Sequence, residues 1–302
     1  MASLIDIRRR LRSVTSTQQI TRAMKMVAAA KLRRAQDRVI GSRPYAKMIG
    51  SVLASLRQHA PDLTHPLLEE RPEKNVLVMV IAGDRGLCGA FNTNVHRATA
   101  HLLSEHPEWS GVTILPIGRK AIEYWRRRKY AIAERSWPDI LSNLRAARTR
   151  EVARFLADEF LSGRVDAVYV VVNVFRSVLS QVVTTQKLLP LSPVEAPAEG
   201  RPAAEPTAAA APGTGAQVDY LYEPDAASIL AWLLPRYLDF MVYRALAESA
   251  AAEMGARMTA MDAASKNAGE MIESLTLSYN RARQARITKE LIEIVSGAAA
   301  LE

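Results

Sequence analysis

The carboxyl-terminal quarter of the chain carries an almost unbroken helical pattern. From Asp225 to Gly297 only one proline and two glycines interrupt it. Asp225 is suited to cap the start of a helix and Gly297 to end it. At ~1.5 Å per residue such a helix is roughly 105–110 Å long, about twice the width of a compact globule of this chain length. We therefore expect it to project and to need a partner along its apolar stripe.

That stripe alternates spacings of four and three residues, which is typical of a coiled-coil seam and predicts a left-handed supercoil. Alanine and serine would let a partner helix approach closely, and methionine adapts to irregular surfaces. Packing against one other helix of the same chain would account for the seam itself. Its members are Met254, Met258, Met261, Ser265, Ala268, Ile272, Leu275, Tyr279 and Ala282.

A second long helix is predicted at the amino-terminal end, over residues 3–58. Ile7, Leu11 and Val14 keep coiled-coil spacing. A polar segment follows, and the seam is expected to resume afterwards in a shifted phase at Ile20, Met24 and Val27. Two long helices at opposite ends of a sequence pair most simply as an antiparallel coiled coil.

Between the long helices, apolar runs of strand length alternate with helical patterns, which predicts a Rossmann-like α/β domain over 75–190. Strands are expected at 76–82, 112–116, 130–133, 167–174 and 181–189, and helices at 92–105, 119–128 and 148–161. The fold class is therefore α/β, with the coiled coil of residues 1–58 and 225–302 and this domain inserted between. An Ala/Pro-rich flexible loop is expected at 190–217 and a short strand at 219–223.

Charge is uneven along the chain. Residues 1–50 carry twelve Lys or Arg against two Asp, a balance of +10, within a total of +9. Such an arm is typical of proteins that bind nucleic acid, an anionic membrane or an acidic partner, or of a solvated helix face. It lacks interleaved aromatic residues and a groove-reading motif, which disfavours nucleic acid. No apolar run reaches the ~18–20 residues that span a bilayer, no secretory signal is seen, and the single Cys88 fits a reducing compartment.

Candidate catalytic or ligand-binding chemistry is weak. The turn Gly83–Gly89 has the spacing G-x-x-G-x-x-G, which differs from the dinucleotide fingerprint, although a Rossmann-type enzyme stays open as an alternative. There is no phosphate-binding P-loop. The histidines show no metal-ligand spacing, Cys88 has no His–Asp pair nearby, and Asp84 with Arg85 is expected to stabilise a turn. We expect no catalytic residue, metal or cofactor.

Three stretches together resemble the gamma-subunit family of the F-type ATP synthases. They are Thr17–Lys31 (TQQITRAMKMVAAAK), Gly83–Asn92 (GDRGLCGAFN) and Tyr279–Leu301 (YNRARQARITKELIEIVSGAAAL). The resemblance covers the whole chain apart from residues 190–217. It implies a central rotor shaft with no active site or nucleotide site of its own, which couples proton flow through a membrane ring to the states of catalytic beta subunits.

The resemblance also implies roles for individual residues. Positions that contact a beta subunit would be Met24, Lys25, Arg281, Arg283, Gln284, Thr288 and Glu290. An apolar bearing tip would comprise Leu291, Ile294 and Val295, followed by Ala298, Ala299 and Ala300. Any one polar member alone would equally fit a solvated helix face, and Met24 would equally fit the seam.

Partners follow from the same resemblance. One copy would sit in a ring of alpha and beta subunits, while the α/β domain would meet the epsilon subunit and the membrane c-ring. No nucleic-acid partner is expected. The location would be the bacterial plasma (inner) membrane, peripheral on its cytoplasmic side. A plastid-type redox switch is not expected, because Cys88 is the only cysteine.

Overall fold

A computed structural model describes residues 4–59, 64–191, 223 and 225–299. It confirms the predicted class: two long helices and, between them in sequence, a five-stranded sheet with shorter helices. The helices and strands are α1 (Leu4–His59), β1 (Asn75–Ile81), α2 (Phe91–Glu105), β2 (Gly111–Ile117), α3 (Arg119–Trp125), β3 (Ala131–Ile132), α4 (Ala146–Leu161), β4 (Ala167–Phe175), β5 (Gln181–Leu189) and α5 (Ala226–Ala299).

The chain forms two compact units. The coiled-coil unit comprises Met1–Ala29 and Arg257–Glu302, and the α/β unit comprises Ala30–Ala256. The sequence pattern divides the chain at the ends of the long helices, whereas these units divide it inside α1 and α5. Parts of both long helices therefore belong to the α/β unit.

The sheet has the strand order β3-β2-β1-β4-β5. The strands β1, β2, β3 and β4 are parallel, and β5 runs antiparallel to β4. After β1 the chain adds β2 and β3 on one side, and it later places β4 on the other side of β1. The carboxyl edge between β1 and β4 is therefore the topological switch point of the sheet.

The two faces of β1 feed two apolar clusters, because alternate side chains of a strand point to opposite faces. On one face Leu77, Met79 and Ile81 pack with residues of α4, α1 and α5. On the other face, Val76, Val78 and Val80 pack with α2 and α3. The long helices contribute to the first cluster through Ile49, Leu53, Leu56, Leu230, Leu233, Leu234 and Leu238.

In the coiled-coil unit the helices run antiparallel. Arg8 contacts Tyr279, Gln18 contacts Ser265, and Lys25 contacts Asp262, so partners on α5 descend as positions on α1 rise. The predicted seam on α5 is confirmed. Every seam member from Met258 to Ala282 is buried or half-buried, while most intervening side chains are exposed.

The predicted phase shift on α1 is wrong. The buried positions continue the first phase without interruption, and Ile20 and Val27 are each 56% exposed. The sustained line of buried or half-buried side chains runs through Ile7, Leu11, Val14, Gln18, Thr21, Lys25 and Ala28. Gln18 faces small residues of α5 there: its amide nitrogen lies 3.4 Å from the Ser265 carbonyl oxygen and 3.1 Å from the position that a Cβ atom of Gly269 would take.

The ends of α5 follow local chemistry only in part. The N-cap role of Asp225 is confirmed, since its Oδ1 accepts the Ser228 N–H at 2.8 Å. The helix continues past Gly297 to Ala299, so the prediction that Gly297 ends it is wrong. Of the predicted loop 190–217 only residues 190 and 191 belong to the described part, and the predicted strand 219–223 lies outside it except for Glu223.

Candidate subunit-contact site

All predicted contact residues belong to the coiled-coil unit. Met24 and Lys25 lie on α1 and are half-buried. The predicted polar residues between Arg281 and Glu290 and the apolar residues from Leu291 to Val295 lie on α5, and all of them are exposed. The structure thus brings the α5 residues together on one stretch of helix.

Lys25 is engaged within the chain. Its Nζ lies 2.6 Å from Oδ1 of Asp262, and 42% of the Lys25 side chain remains accessible. Asp262 is also 3.4 Å from Nζ of Lys266. The hydrogen bond from Lys25 is the main reason that the pKa of Asp262 lies below its usual value, because it favours the charged carboxylate. Sequence reasoning missed Asp262, since this pair depends on the register of the two helices.

A second contact joins the two helices of the coiled coil near the start of α1. The Arg8 guanidinium donates to the Tyr279 hydroxyl at 2.6 Å and lies 5.5 Å from the centroid of that ring. This hydrogen bond also lowers the pKa of Tyr279. Beyond Tyr279 the seam has one more half-buried member, Ala282. Sequence reasoning missed the role of Arg8, which lies in a run of three arginines that all look alike in the sequence.

After Ala282 the chemistry of the seam changes. Continuing the same spacing leads to Arg286, Lys289 and Glu293 instead of apolar residues. Two ion pairs along the helix involve these positions: Arg286 Nε with Glu290 Oε1 at 2.7 Å, and Lys289 Nζ with Glu293 Oε1 at 3.6 Å. The predicted contact residue Glu290 is therefore already paired within α5. Charged residues at these positions do not favour the packing of a second helix, so the apolar seam ends at Ala282.

In the terminal segment of α5, the part after Ala282, the apolar residues lie on other faces of the helix than the seam. At about 100° per residue, Leu291 and Val295 lie roughly opposite the seam, in line with Arg281, Gln284 and Thr288. A neighbouring line carries Arg283, Ile287, Glu290 and Ile294. The first line is polar in its first turns and apolar in its last, whereas polar and apolar residues alternate along the second.

The apolar tip is strongly exposed. Exposed fractions are 57% for Leu291, 68% for Ile294 and 66% for Val295, and Ile292 is 59% exposed. From Arg283 to Ser296 every side chain is exposed. The side chains of the predicted tip residues Ala298, Ala299 and Ala300 lie outside the described part. Contiguous exposed apolar surface on a helix is typical of an interaction site.

The glycine-rich turn after β1 is built by internal contacts. One Asp84 oxygen accepts the backbone N–H groups of Arg119 and Asp139, at 3.2 and 2.8 Å, and the other accepts the Ser142 hydroxyl at 3.1 Å. The side-chain oxygen of Asn92 in α2 accepts the Gly83 N–H at 2.8 Å. Asp84 thus stabilises the turn, which agrees with the structural interpretation of this motif.

Among the described residues no group of three or more His, Cys, Asp or Glu side chains is arranged to hold a metal ion. Over the same residues no helix combines the length and the apolar character needed to cross a bilayer.

Comparisons with known proteins agree along the whole chain. A family model described as ATP synthase matches residues 3–301. The chain is 47% identical over 302 residues to the ATP synthase gamma chain of Desulforamulus reducens, with 100% of both chains covered. It is 47% identical over 309 residues to that of Chlorobaculum tepidum, again with 100% of each chain covered.

Solved structures with the same fold come from mitochondrial ATP synthases. A chain of the Euglena gracilis enzyme, in a structure of OSCP/F1/c-ring in rotational state 3, superposes with a TM-score of 0.64 at 19% identity. The superposition covers 99% of this chain and 94% of that one. A chain of the Tetrahymena thermophila central stalk/c-ring gives 0.59 at 24% identity, over 82% and 99%.

Proposed function

The chain belongs to the family of ATP synthase gamma chains, and from that membership we propose that it is the central shaft of a rotary, proton-translocating ATP synthase. In this role it has no active site and binds no nucleotide. Its work is to couple rotation of a membrane-embedded ring to the conformational cycle of catalytic beta subunits.

One observation supports the proposal above others: the terminal segment of α5 carries apolar side chains that stay exposed among the described residues. Ile287, Leu291, Ile292, Ile294 and Val295 are 48–68% exposed. The positions that continue the seam spacing are charged, so another coiled-coil helix is not expected to cover the apolar side chains of this segment. An apolar collar formed by surrounding subunits would bury this surface without directional bonds, and such bonds would have to break at every step of rotation.

The polar residues that precede the apolar tip along α5 have a different proposed role. We infer that Arg283, Gln284 and Thr288, together with Arg281 and Glu290, donate to or accept from a loop of a beta subunit at one rotational angle. Hydrogen bonds to charged groups contribute about 1.5–3 kcal/mol, enough to favour one angle over others. The shaft then acts as a ligand whose contacts differ among three beta conformations, so its angle sets their relative populations.

Met24 and Lys25 would lie near an acidic segment of beta. Lys25 already pairs with Asp262, so this contact would use the accessible part of the ammonium group or exchange one carboxylate for another. The basic amino-terminal segment would strengthen attraction to acidic partners without requiring one register.

The remaining partners are proposed from family membership. One copy would assemble with a ring of alternating alpha and beta subunits, and the α/β unit would contact the epsilon subunit and the c-ring. The complex would lie at the bacterial plasma membrane, with this chain peripheral on the cytoplasmic side.

The test is assembly of the full-length chain with separately purified alpha and beta subunits. We expect one copy per ring, and no ATP hydrolysis by the chain alone. A stoichiometry of three copies per ring would contradict the proposal.

The role of the tip is tested in the same assembly. Replacing Leu291, Ile294 and Val295 together by serine should weaken binding of the chain to the ring, because the apolar surface is removed. The control replaces Met271 and Leu277 by serine, since these side chains are 54% and 69% exposed on α5 but precede the terminal segment. Equal loss of binding in both variants would mean that the tip has no special part in assembly.

A further inference from the structure

Helix α5 crosses the carboxyl edge of the sheet through a run of small residues. The segment 250–256 contains four alanines and one glycine. Ala252 is fully buried, and a Cβ atom at Gly255 would lie 3.0 Å from Cε2 of Phe175, at the end of β4. The small side chains therefore let the backbone of α5 approach the end of this strand closely.

The edge that α5 crosses is the switch point between β1 and β4. In doubly wound sheets this crevice is where ligands bind, beside the glycine-rich turn that follows the first strand. In this chain Ala252 and Ala256 pack there with Cys88 and Phe91, residues of that turn and of the start of α2. The helix thus occupies the place in which a ligand would lie.

A buried carboxylate belongs to the same segment. Glu253 is only 5% exposed. Its Oε1 lies 3.0 Å from the position that a Cβ atom of Gly83 would take, and Asn92 Oδ1 lies 3.3 Å from the same point. The carboxylate therefore lies against the glycine-rich turn and beside the first turn of α2. Turns of this kind and helix N-termini favour negative charge.

We propose that Glu253 is a positioning residue that fixes α5 to the sheet, its carboxylate serving as a built-in anion at the switch point. The crevice that holds a ligand in other doubly wound proteins here holds a helix of the same chain. Gly83 belongs to this arrangement, because any larger residue would place its Cβ against the carboxylate. Burying a charge is costly unless it is well paired, so a glutamate at this position specifies one docking geometry for α5.

A double-mutant cycle on the full-length chain tests the contact. Gly83→Ala should lower the urea midpoint of unfolding in the parent chain. In a Glu253→Ala background the same substitution should cost less than half as much, because the oxygen it meets is gone. Equal losses in both backgrounds would overturn the proposed contact.

The charge is tested separately with Glu253→Gln, which keeps the shape of the side chain. We expect its melting temperature to fall by about 4 °C or more. The control Glu151→Gln, an exposed position of α4, should leave it unchanged within error. If Glu253→Gln melts with the parent, the side chain fills space only and the role of the anion is refuted.

A third measurement rests on the proposed rotary function. In membrane vesicles containing the assembled complex, Glu253→Gln should lower the number of protons moved per ATP hydrolysed, because α5 is held less firmly to the sheet. Glu151→Gln should keep the parent ratio. An unchanged ratio, together with a smaller cost of Gly83→Ala in the Glu253→Ala background, would refute a part for this contact in coupling and leave its role in docking α5 standing. The unfolding experiments do not depend on rotation, so the two failures are distinguishable.

Discussion

The α/β unit and the coiled-coil unit use apolar residues in opposite ways. In the α/β unit, large side chains such as Phe160, Leu156 and Ile114 are completely buried. In the coiled-coil unit the middle of the seam is polar and small, and Ile20 and Ile294 are exposed. The first unit thus buries its largest apolar side chains in a core of its own, although single residues such as Met48 and Leu179 stay exposed. The second leaves apolar surface for contacts outside the described chain, which is what a shaft inside a larger assembly requires.

The largest effect is expected where the α/β unit is most tightly built. Gly118 has a φ of +86°, and a Cβ atom there would collide with the Ala82 carbonyl oxygen. Gly118→Ala should destabilise the fold by about 3–5 kcal/mol, since both strain and backbone overlap oppose it. Urea unfolding measures this.

The matched control is Gly50→Ala, within α1, where among the described residues no atom outside the adjacent helix backbone lies within 4 Å of the added Cβ. Because alanine has a higher helix propensity than glycine, this substitution should raise the free energy of unfolding by up to about 1 kcal/mol. If Gly118→Ala behaved like this control, the tight packing ascribed to the α/β unit would be wrong.

A pH-dependent difference should follow from His96, which is 5% exposed and whose ring is stacked on Tyr124 at 3.9 Å. Burial, helped by the charge of Arg128, lowers the pKa of His96 from 6.5 to about 4. Because the folded pKa lies below the unfolded one, its contribution to stability is complete above pH 6.5 and is lost as pH falls towards 4.

The measurement is the free energy of unfolding between about pH 7 and pH 4, the interval that spans both pKa values. The variant His96→Phe keeps an aromatic ring but no ionisable group, so its stability should fall less over this interval. Parallel pH profiles for the two proteins would show that His96 is not the group responsible.

In the coiled-coil unit the effect should appear in function and not in folding. Replacing Arg283 and Gln284 together by Ala removes two exposed polar side chains from α5. We expect coupled ATP synthesis to fall at least about tenfold, because the loss of even one hydrogen bond to a charged group costs about 1.5–3 kcal/mol. Nucleotide binding to beta and the melting temperature of the chain should stay unchanged. Unchanged synthesis would remove the role proposed for these residues.

The smallest effect is expected at the ion pair between Lys25 and Asp262, because both side chains are more than one third exposed and solvent screens them. The pKa of Asp262 is lowered by this pair, so its contribution is present above the usual value of 3.8 and is lost as pH falls below it. Asp262→Asn should therefore flatten the acid limb of a stability–pH curve slightly. An unaltered limb would mean that the pair contributes nothing measurable.

The sequence predicted the α/β unit well because its signals are local and redundant. Strands β1 and β4 are long apolar runs, and their predicted bounds differ by at most one residue from the observed ones. The seam on α5 was likewise readable from its spacing. The error on α1 arose because apolar residues were taken as the seam, whereas Gln18 and Thr21 fill it and Ile20 and Val27 face outwards.

The candidate site was predictable only through the resemblance to a family. Nothing in the local pattern of Arg283 or Thr288 separates a contact residue from a solvated one. The partners of Lys25 and Glu290 could not be predicted in the same way. The first depends on the register of two distant segments, and the second on a rotamer choice among several charges on α5.

The polar layer in the middle of the seam resists slippage. The amide nitrogen of Gln18 lies 3.4 Å from the Ser265 carbonyl oxygen. A Cβ atom at Gly269 would lie 3.1 Å from the same nitrogen. Sliding one helix by a heptad would bring Thr276 or Asp262 to the place of Gly269, and the Cβ atom of either residue would crowd the Gln18 amide. A single polar position of this kind fixes the register of a coiled coil. The two helices can therefore transmit torque without sliding along one another.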